Sequence, residues 1–277
     1  MKIIINGQEM DVLDFSDMEH VEISNSVTKI EANAFKDCRS LRSITIPDSV
    51  TEIGSFAFGN CTSLESITIP DSVTEIGELA FNSCVSLKSI TIPDSVTKIG
   101  DWAFCDCASL KSITISNSVT EIGNGIFWEC EAIKTIKIPN GVKSIGVNSF
   151  AGCLSLRNIE IPDSVAYIGN GAFKWCSLLE KIQLPNSITR IGINTFSNCK
   201  TLREVVIPNS VTEIGDYAFK NCTSLEKVEL SKSLIKIGMD AFSNCKKLRV
   251  IIIPESLTEL RNNILRAIYN YSIFNKI

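Results

Sequence analysis

The chain has 277 residues, a formal charge of −4, and 44% hydrophobic against 21% charged residues. That balance belongs to a folded chain and argues against disorder, and the mild acidity gives no general attraction to nucleic acid or to an anionic membrane. No apolar run approaches the roughly 18 residues that a membrane span needs.

Met1–Glu9 has a short apolar stretch but neither a long hydrophobic core nor a small-residue cleavage site, so it does not read as a secretory signal. A cytoplasmic protein, export by another route, and a mature or trimmed chain all fit this. Lys2–Ile5 and Gln8–Val12 flank Asn6-Gly7, the strongest local hairpin signal. Val12, Phe15, Met18, Val21 and Ile23 already keep the register of a long internal repeat. Residues 1–23 are therefore expected to be a hairpin and half-repeat that cap an open core.

From residue 24 to 253 the sequence repeats ten times at a period of 23, without insertion or deletion. Cysteine recurs from Cys38 through Cys61 and Cys84 to Cys245, with a phenylalanine three residues earlier in every unit, from Phe35 to Phe242. In the unit around Leu41, Leu41-x-x-Ile44-x-Ile46 alternates as a strand does. Pro47 ends the strand, and Asp48-Ser49 supplies turn chemistry. Val50 and Ile53 point inward, Gly54 tolerates unusual dihedrals, and Ala57-Phe58-x-x-Cys61 places core residues three apart, as one or two turns of helix would. Asp37, Asn60, Asp106 and Asn198 are expected to terminate that turn. A single strand per 23 residues excludes a propeller blade. After Ile253, Leu257 keeps the register, and Leu260, Ile264, Leu265, Ile268 and Tyr271 recur at helical spacing, so residues 254–277 are expected to form a helical cap.

The unit Leu64-x-x-Ile67-x-Ile69-Pro70-x-x-Val73-x-x-Ile76-Gly77-x-x-Ala80-Phe81-x-x-Cys84 resembles the BspA-like, or Treponema pallidum type, leucine-rich repeat over roughly residues 18–260. Ser24, Ser116 and Ser231 depart from its proline, and Glu31 from its first glycine. The resemblance implies an α/β fold. The expected form is a right-handed leucine-rich-repeat solenoid with a concave parallel sheet and short convex helices; the unbroken repeat argues for one domain over residues 1–277, expected as a monomer. It also implies a surface or secreted protein that adheres to host extracellular components or other protein partners. Some family members lack an obvious signal peptide, so the signal-free reading of Met1–Glu9 does not exclude the surface, and a cytoplasmic location stays open beside it.

Chemistry-bearing residues are few. One thiol per rung does not suit disulfides, which need pairs about 3.8 Å apart at Cβ, and the column reads as small core hydrophobes. With no CxxC pair and His20 as the only histidine, zinc is disfavoured. Cys105 sits outside the cysteine column, where other units carry Lys36, Gly59, Asn82 or Lys174, and is expected to be exposed and reactive. Asp48, Asp71 and Asp94 stack along one edge, but Asn117, Asn140 and Asn186 interrupt them, so a solvated turn is expected in place of calcium. The sequence predicts no enzyme, no cofactor and no metal.

Recognition is better supported, because the outward strand positions vary. Residues from Ser43 to Ser112 and from Thr45 to Thr114, including Thr91 and Thr114, give a flat hydroxyl strip. Beyond it the sign alternates, with Lys137 beside Glu160, Lys181 beside Glu204, and Glu204 beside Lys227, neighbours able to satisfy one another. Lys88, Lys111, Lys134 and Arg157 succeed one another in one flanking column, an edge suited to an acidic glycan or an acidic peptide. On the opposite side Phe56, Leu79 and Trp102, with Trp128, form an apolar patch that would let an intracellular scaffold dock a partner protein.

Overall fold

The computed structural model describes residues 2–5, 8–11 and 17–260; for 2–5, 8–11 and 258–260 only the backbone is described. Each 23-residue unit makes one rung with two strands. The first is set by the Leu-x-x-Ile-x-Ile alternation. It runs through β3 (His20–Ile23), β5 (Ser43–Thr45), β7 (Ser66–Ile67), β9 (Ser89–Thr91), β11 (Ser112–Thr114), β13 (Thr135–Lys137), β15 (Asn158–Glu160), β17 (Lys181–Gln183), β19 (Glu204–Val206), β21 (Lys227–Glu229) and β23 (Val250–Ile252). The second is a two-residue strand that ends on the inward isoleucine before the glycine. Its members are β4 (Lys29–Ile30), β6 (Glu52–Ile53), β8 (Glu75–Ile76), β10 (Lys98–Ile99), β12 (Glu121–Ile122), β14 (Ser144–Ile145), β16 (Tyr167–Ile168), β18 (Arg190–Ile191), β20 (Glu213–Ile214) and β22 (Lys236–Ile237). Partners are parallel and stand 23 residues apart, as in Ser112↔Ser89 and Lys98↔Glu75. At the start, β1 (Lys2–Ile5) pairs antiparallel with both β2 (Gln8–Asp11) and β3, so the expected hairpin extends the sheet. Its Asn6-Gly7 turn and the core positions Val12 and Phe15 lie outside the described residues.

The convex helices expected from Ala-Phe-x-x-Cys do not form. Every rung instead carries two residues with positive φ, four apart: Asn33 and Asp37, Phe56 and Asn60, Leu79 and Ser83, Trp102 and Asp106, and so on to Asp240 and Asn244. Two left-handed residues in five cannot sit in an α-helix. Alternate amides make three-residue turns, as Lys36 N–H does to Asn33 O and Cys38 N–H to Phe35 O. The amides between them reach the next rung, as Asn33, Phe35 and Asp37 do to Ser55, Ala57 and Gly59. The turn side is thus a third ladder. Among the described residues the helix is a short 3-10 one, Glu255–Leu260. Of the proposed C-terminal cap, Leu257 is buried, whereas Arg261, Ile264, Leu265, Ile268 and Tyr271 lie outside the described residues.

One dry core runs the length of the stack. The phenylalanine rings from Phe35 to Phe242 are all buried and stacked, with centroids between 5.1 Å and 5.9 Å apart. The thiols of the cysteine column are buried beside them apart from half-buried Cys245, and no disulfide joins them. Each thiol from Cys61 onward donates to the carbonyl of the phenylalanine 26 residues earlier, as Cys61 Sγ does to Phe35 O at 3.0 Å. Cysteine suits the position because it is small, apolar and still a weak donor. Gly54 is required by close approach, since a Cβ there would meet Ala32 N at 2.6 Å on the preceding rung. Its φ is not in the left-handed region, so the dihedral freedom expected of it is not what the fold uses.

The strand ladders are not continuous. Both break at two seams that divide the strands into β1–β11, β12–β17 and β18–β23. Between strands the same gaps recur: Arg42, Glu65, Lys88, Lys111, Arg157, Glu180, Glu226 and Arg249 donate to the equivalent carbonyl one rung back, but Lys134 and Arg203 do not. The glycines at the seams, Gly123 and Gly192, face the side-chain oxygens of Asp101 and Asn170, where Gly54 and its peers face backbone. The turn ladder, by contrast, crosses both seams through Trp102→Asn124 and Gly171→Ile193. The buried alanine column explains the positions. It reads Ala103, Ile126, Ser149, Ala172, Thr195, Ala218, and its two β-branched members each come just after a seam. Extra core volume forces neighbours apart; the turn ladder holds, so the strands part. The widest ring spacing, 5.9 Å between Phe104 and Phe127, lies at the first seam.

Candidate functional site

The outward residues of the first strand column form a continuous face. Alternation puts Ile90 and Ile113 inside and Ser89, Thr91, Ser112 and Thr114 in solvent. Thr91 and Thr114 are direct partners across β9 and β11, so the hydroxyl strip exists as expected. Lys137 and Glu160 face each other across β13 and β15, and Glu204 and Lys227 across β19 and β21. The mutual satisfaction expected of these charges does not occur. Among the described residues the ion pairs within 4.0 Å are elsewhere, and Lys137, Glu160, Lys181, Glu204 and Lys227 have none. Their charges stand uncompensated on the surface.

The flanking basic column is different at its ends and its middle. Lys88 meets Glu65 at 2.5 Å and Arg157 meets Glu180 at 2.7 Å, both acids belonging to the same column one rung outward. The hydrogen bond from Lys88, with its charge, holds the Glu65 carboxyl below the usual carboxylate range. Lys111 and Lys134 are exposed and make no such pair, so the uncompensated part of the run is these two lysines.

Across the second seam the face deepens into an open groove of about 890 Å³ lined from Glu180 to Pro208. Ile182 at its floor is half-buried, whereas its equivalents from Val21 through Ile159, and Val205 and Val228 beyond, are buried. Sequence reasoning reaches neither the groove nor the seam.

Of the turn-side patch, Phe56, Leu79, Trp102 and Trp128 are all half-buried. Trp102 meets Trp128 edge-on at 6.1 Å, and its ring occupies the space where any side chain on Gly125 would go. Lys36 lies over the Phe56 ring at 5.1 Å. Much of this apolar surface is therefore used between neighbouring rungs. Cys105 corrects an expectation: it is 5% exposed, and burial pushes its thiol up to about 12. Its column is shallow, with Gly59, Ala151 and Ser197 buried too, and only long side chains such as Lys36 and Lys174 climb out of it.

His20 Nδ1 lies 2.7 Å from Ser43 Oγ on adjacent strands. His20 is exposed and Ser43 half-buried on the strand face, and a serine nucleophile also needs a third orienting group and preorganised oxyanion donors. Asp94 is engaged in holding the next rung, accepting from Asn117 N–H at 2.9 Å. No group of three or more His, Cys, Asp or Glu side chains among the described residues is arranged around a common point. No helix among the described residues is long and apolar enough to cross a membrane.

A family model described as the BspA type leucine-rich repeat region matches residues 11–132, 52–180 and 168–275. A leucine-rich repeat protein from Bacteroides ovatus is similar over 98% of this chain and 88% of its own, at 29% identity and a TM-score of 0.56. The leucine-rich repeat protein of T. pallidum is similar over 58% of this chain and 78% of its own, at 36% identity and a TM-score of 0.56. The pneumococcal vaccine antigen PcpA shares the fold over 88% of this chain and 76% of its own, at 21% identity and a TM-score of 0.54. No curated protein matches the chain.

Proposed function

Because the chain belongs to the BspA-type leucine-rich repeat family, we propose that it is a non-enzymatic binding scaffold that engages a protein or acidic glycan through its strand face. The observation that carries this reading is the set of opposite charges held in register yet unpaired on that face. A surface selected only for solubility gains from neutralising such neighbours; one that receives a partner keeps them free. Lys111 and Lys134, beside the hydroxyls of Thr91 and Thr114, form its basic margin, with Lys88 and Arg157 at the ends tethered by acids.

An adhesin-like role at the cell surface, toward host extracellular material, is in keeping with the family resemblance. Trypsin shaving of intact cells of the source organism tests the location, since an internal protein survives it. The binding test is simultaneous reversal of Lys88, Lys111 and Lys134 to Glu, read by capture on immobilised host matrix proteins and sulfated glycans. Loss of capture with an unchanged melting temperature supports the strand face; undiminished capture removes it. The competing reading, an intracellular scaffold docking through Phe56, Leu79, Trp102 and Trp128, predicts instead that Trp102→Ala abolishes partner capture.

A further inference from the structure

We infer that the groove at the second seam is a discrete subsite for a polypeptide segment that carries a carboxylate next to an apolar side chain. The inference rests on the strand face being the binding face and names one place on it. Four features meet there. The ladder between β17 and β19 is broken, which leaves main-chain donors and acceptors on both strands without their inter-rung partners. The core is open at Ile182, and Val206 beside it is 56% exposed. Lys181, Arg203 and Glu204 carry charge with no ion partner among the described residues, while Glu180 is taken by Arg157.

The fourth feature is local under-satisfaction. Ser49, Ser72 and Ser95 each donate to the carbonyl 22 residues earlier, Ser49 to Val27 O at 2.6 Å, but Ser210 in the same column finds no partner. Thr195, the wedge in the alanine column, is also buried with its hydroxyl unpaired. Groups of this kind cost stability in a closed rung, and both flank this seam. The first seam lacks this signature: Ile113 and Ile136 stay buried there.

The chemistry selects the occupant. Unused N–H and C=O groups are complemented by another main chain, which offers both. The apolar floor of Ile182 and Val206 takes an aliphatic side chain. Two cations against one free anion favour a carboxylate close by. A sulfated glycan would use the cations but leave the floor, Glu204 and the carbonyls unmatched.

The test is selection of a phage-displayed random 12-residue library on the full chain. Three variants run in parallel: Lys181→Glu with Arg203→Glu, Lys111→Glu with Lys134→Glu, and Thr195→Ala. Expected on the unmodified chain is enrichment of Asp or Glu adjacent to Leu, Ile or Val. A synthetic peptide of the selected sequence should then bind at least ten-fold more weakly to the first variant, a larger loss than in the second. Thr195→Ala, which removes the wedge, is expected to weaken the peptide at least three-fold while raising the melting temperature. Enrichment that survives Lys181→Glu with Arg203→Glu overturns the subsite. So does absence of enrichment, or displacement of Ile182 methyl signals by a heparin hexasaccharide in its place. Loss in the second variant alone points to the basic margin and leaves the general reading of the face standing.

Discussion

Raising the pH should dissolve this fold from its core. Burial pushes the thiols of Cys61, Cys84, Cys105, Cys130, Cys153, Cys176, Cys199 and Cys222 upward. In the unfolded chain the same thiols ionise near pH 8.5. A group whose folded pKa is raised gives stability that is complete below its unfolded pKa and is lost as pH climbs toward the folded one. Each thiol therefore forfeits about 0.4 kcal/mol at pH 8.5 and about 1.4 kcal/mol at pH 9.5. For eight thiols acting together that amounts to about 11 kcal/mol at pH 9.5, comparable with the whole stability of a typical domain. Urea unfolding followed by far-ultraviolet circular dichroism, under reducing conditions from pH 7.0 to 9.5, should show the midpoint falling steeply above pH 8. Lysines stay protonated over most of that window and do not confuse the result. Thiolate absorbance at 240 nm in the native protein should stay flat until unfolding begins. A pH-independent midpoint, or native thiolate titrating near 8.5, would refute the sealed-core account.

Three further outcomes are expected from particular contacts. Gly54→Ala puts a methyl group 2.6 Å from Ala32 N, where only backbone can yield; it should cost about 3 kcal/mol or more by thermal unfolding. Leu79 is half-buried in a left-handed conformation at φ 56°. Leu79→Asn should leave stability unchanged or raise it by up to about 1 kcal/mol, and a loss above about 2 kcal/mol would show that Leu79 packing outweighs its strain. Iodoacetamide should leave Cys105 unmodified in the native state and label it after unfolding, read by peptide mass, because the thiol is both buried and protonated.

The legible part of the sequence is the part with long-range order. Leu41-x-x-Ile44-x-Ile46 has enough alternation to mark a strand, and the phenylalanine and cysteine columns mark the core. The second strand escapes because two residues, such as Glu52 and Ile53, are too few to show a period. The turns pass for helix because Ala57, Phe58 and Cys61 at three-residue spacing suit either. The better signal is in the column of Asn33, Gly125, Asn148, Gly171 and Asn194, residue types that tolerate positive φ; Phe56, Leu79 and Trp102 hide it. The basic column, taken alone, leaves out the acids that close it, Glu65 and Glu180. The seams are foreshadowed only by Ile126 and Thr195 in an alanine column, and converting that into a gap requires knowing which ladder yields.

The unbroken ladder along the turns has a mechanical corollary. A plank sawn part-way through from one side keeps its length along the uncut back and flexes at the kerfs. Here the uncut back runs past Trp102 and Gly171, and the two cuts open on the face that would hold a partner. Adjustment of the bow of the coil thus falls on two narrow places, leaving three stiff blocks whose spacing can be tuned without unthreading a single rung.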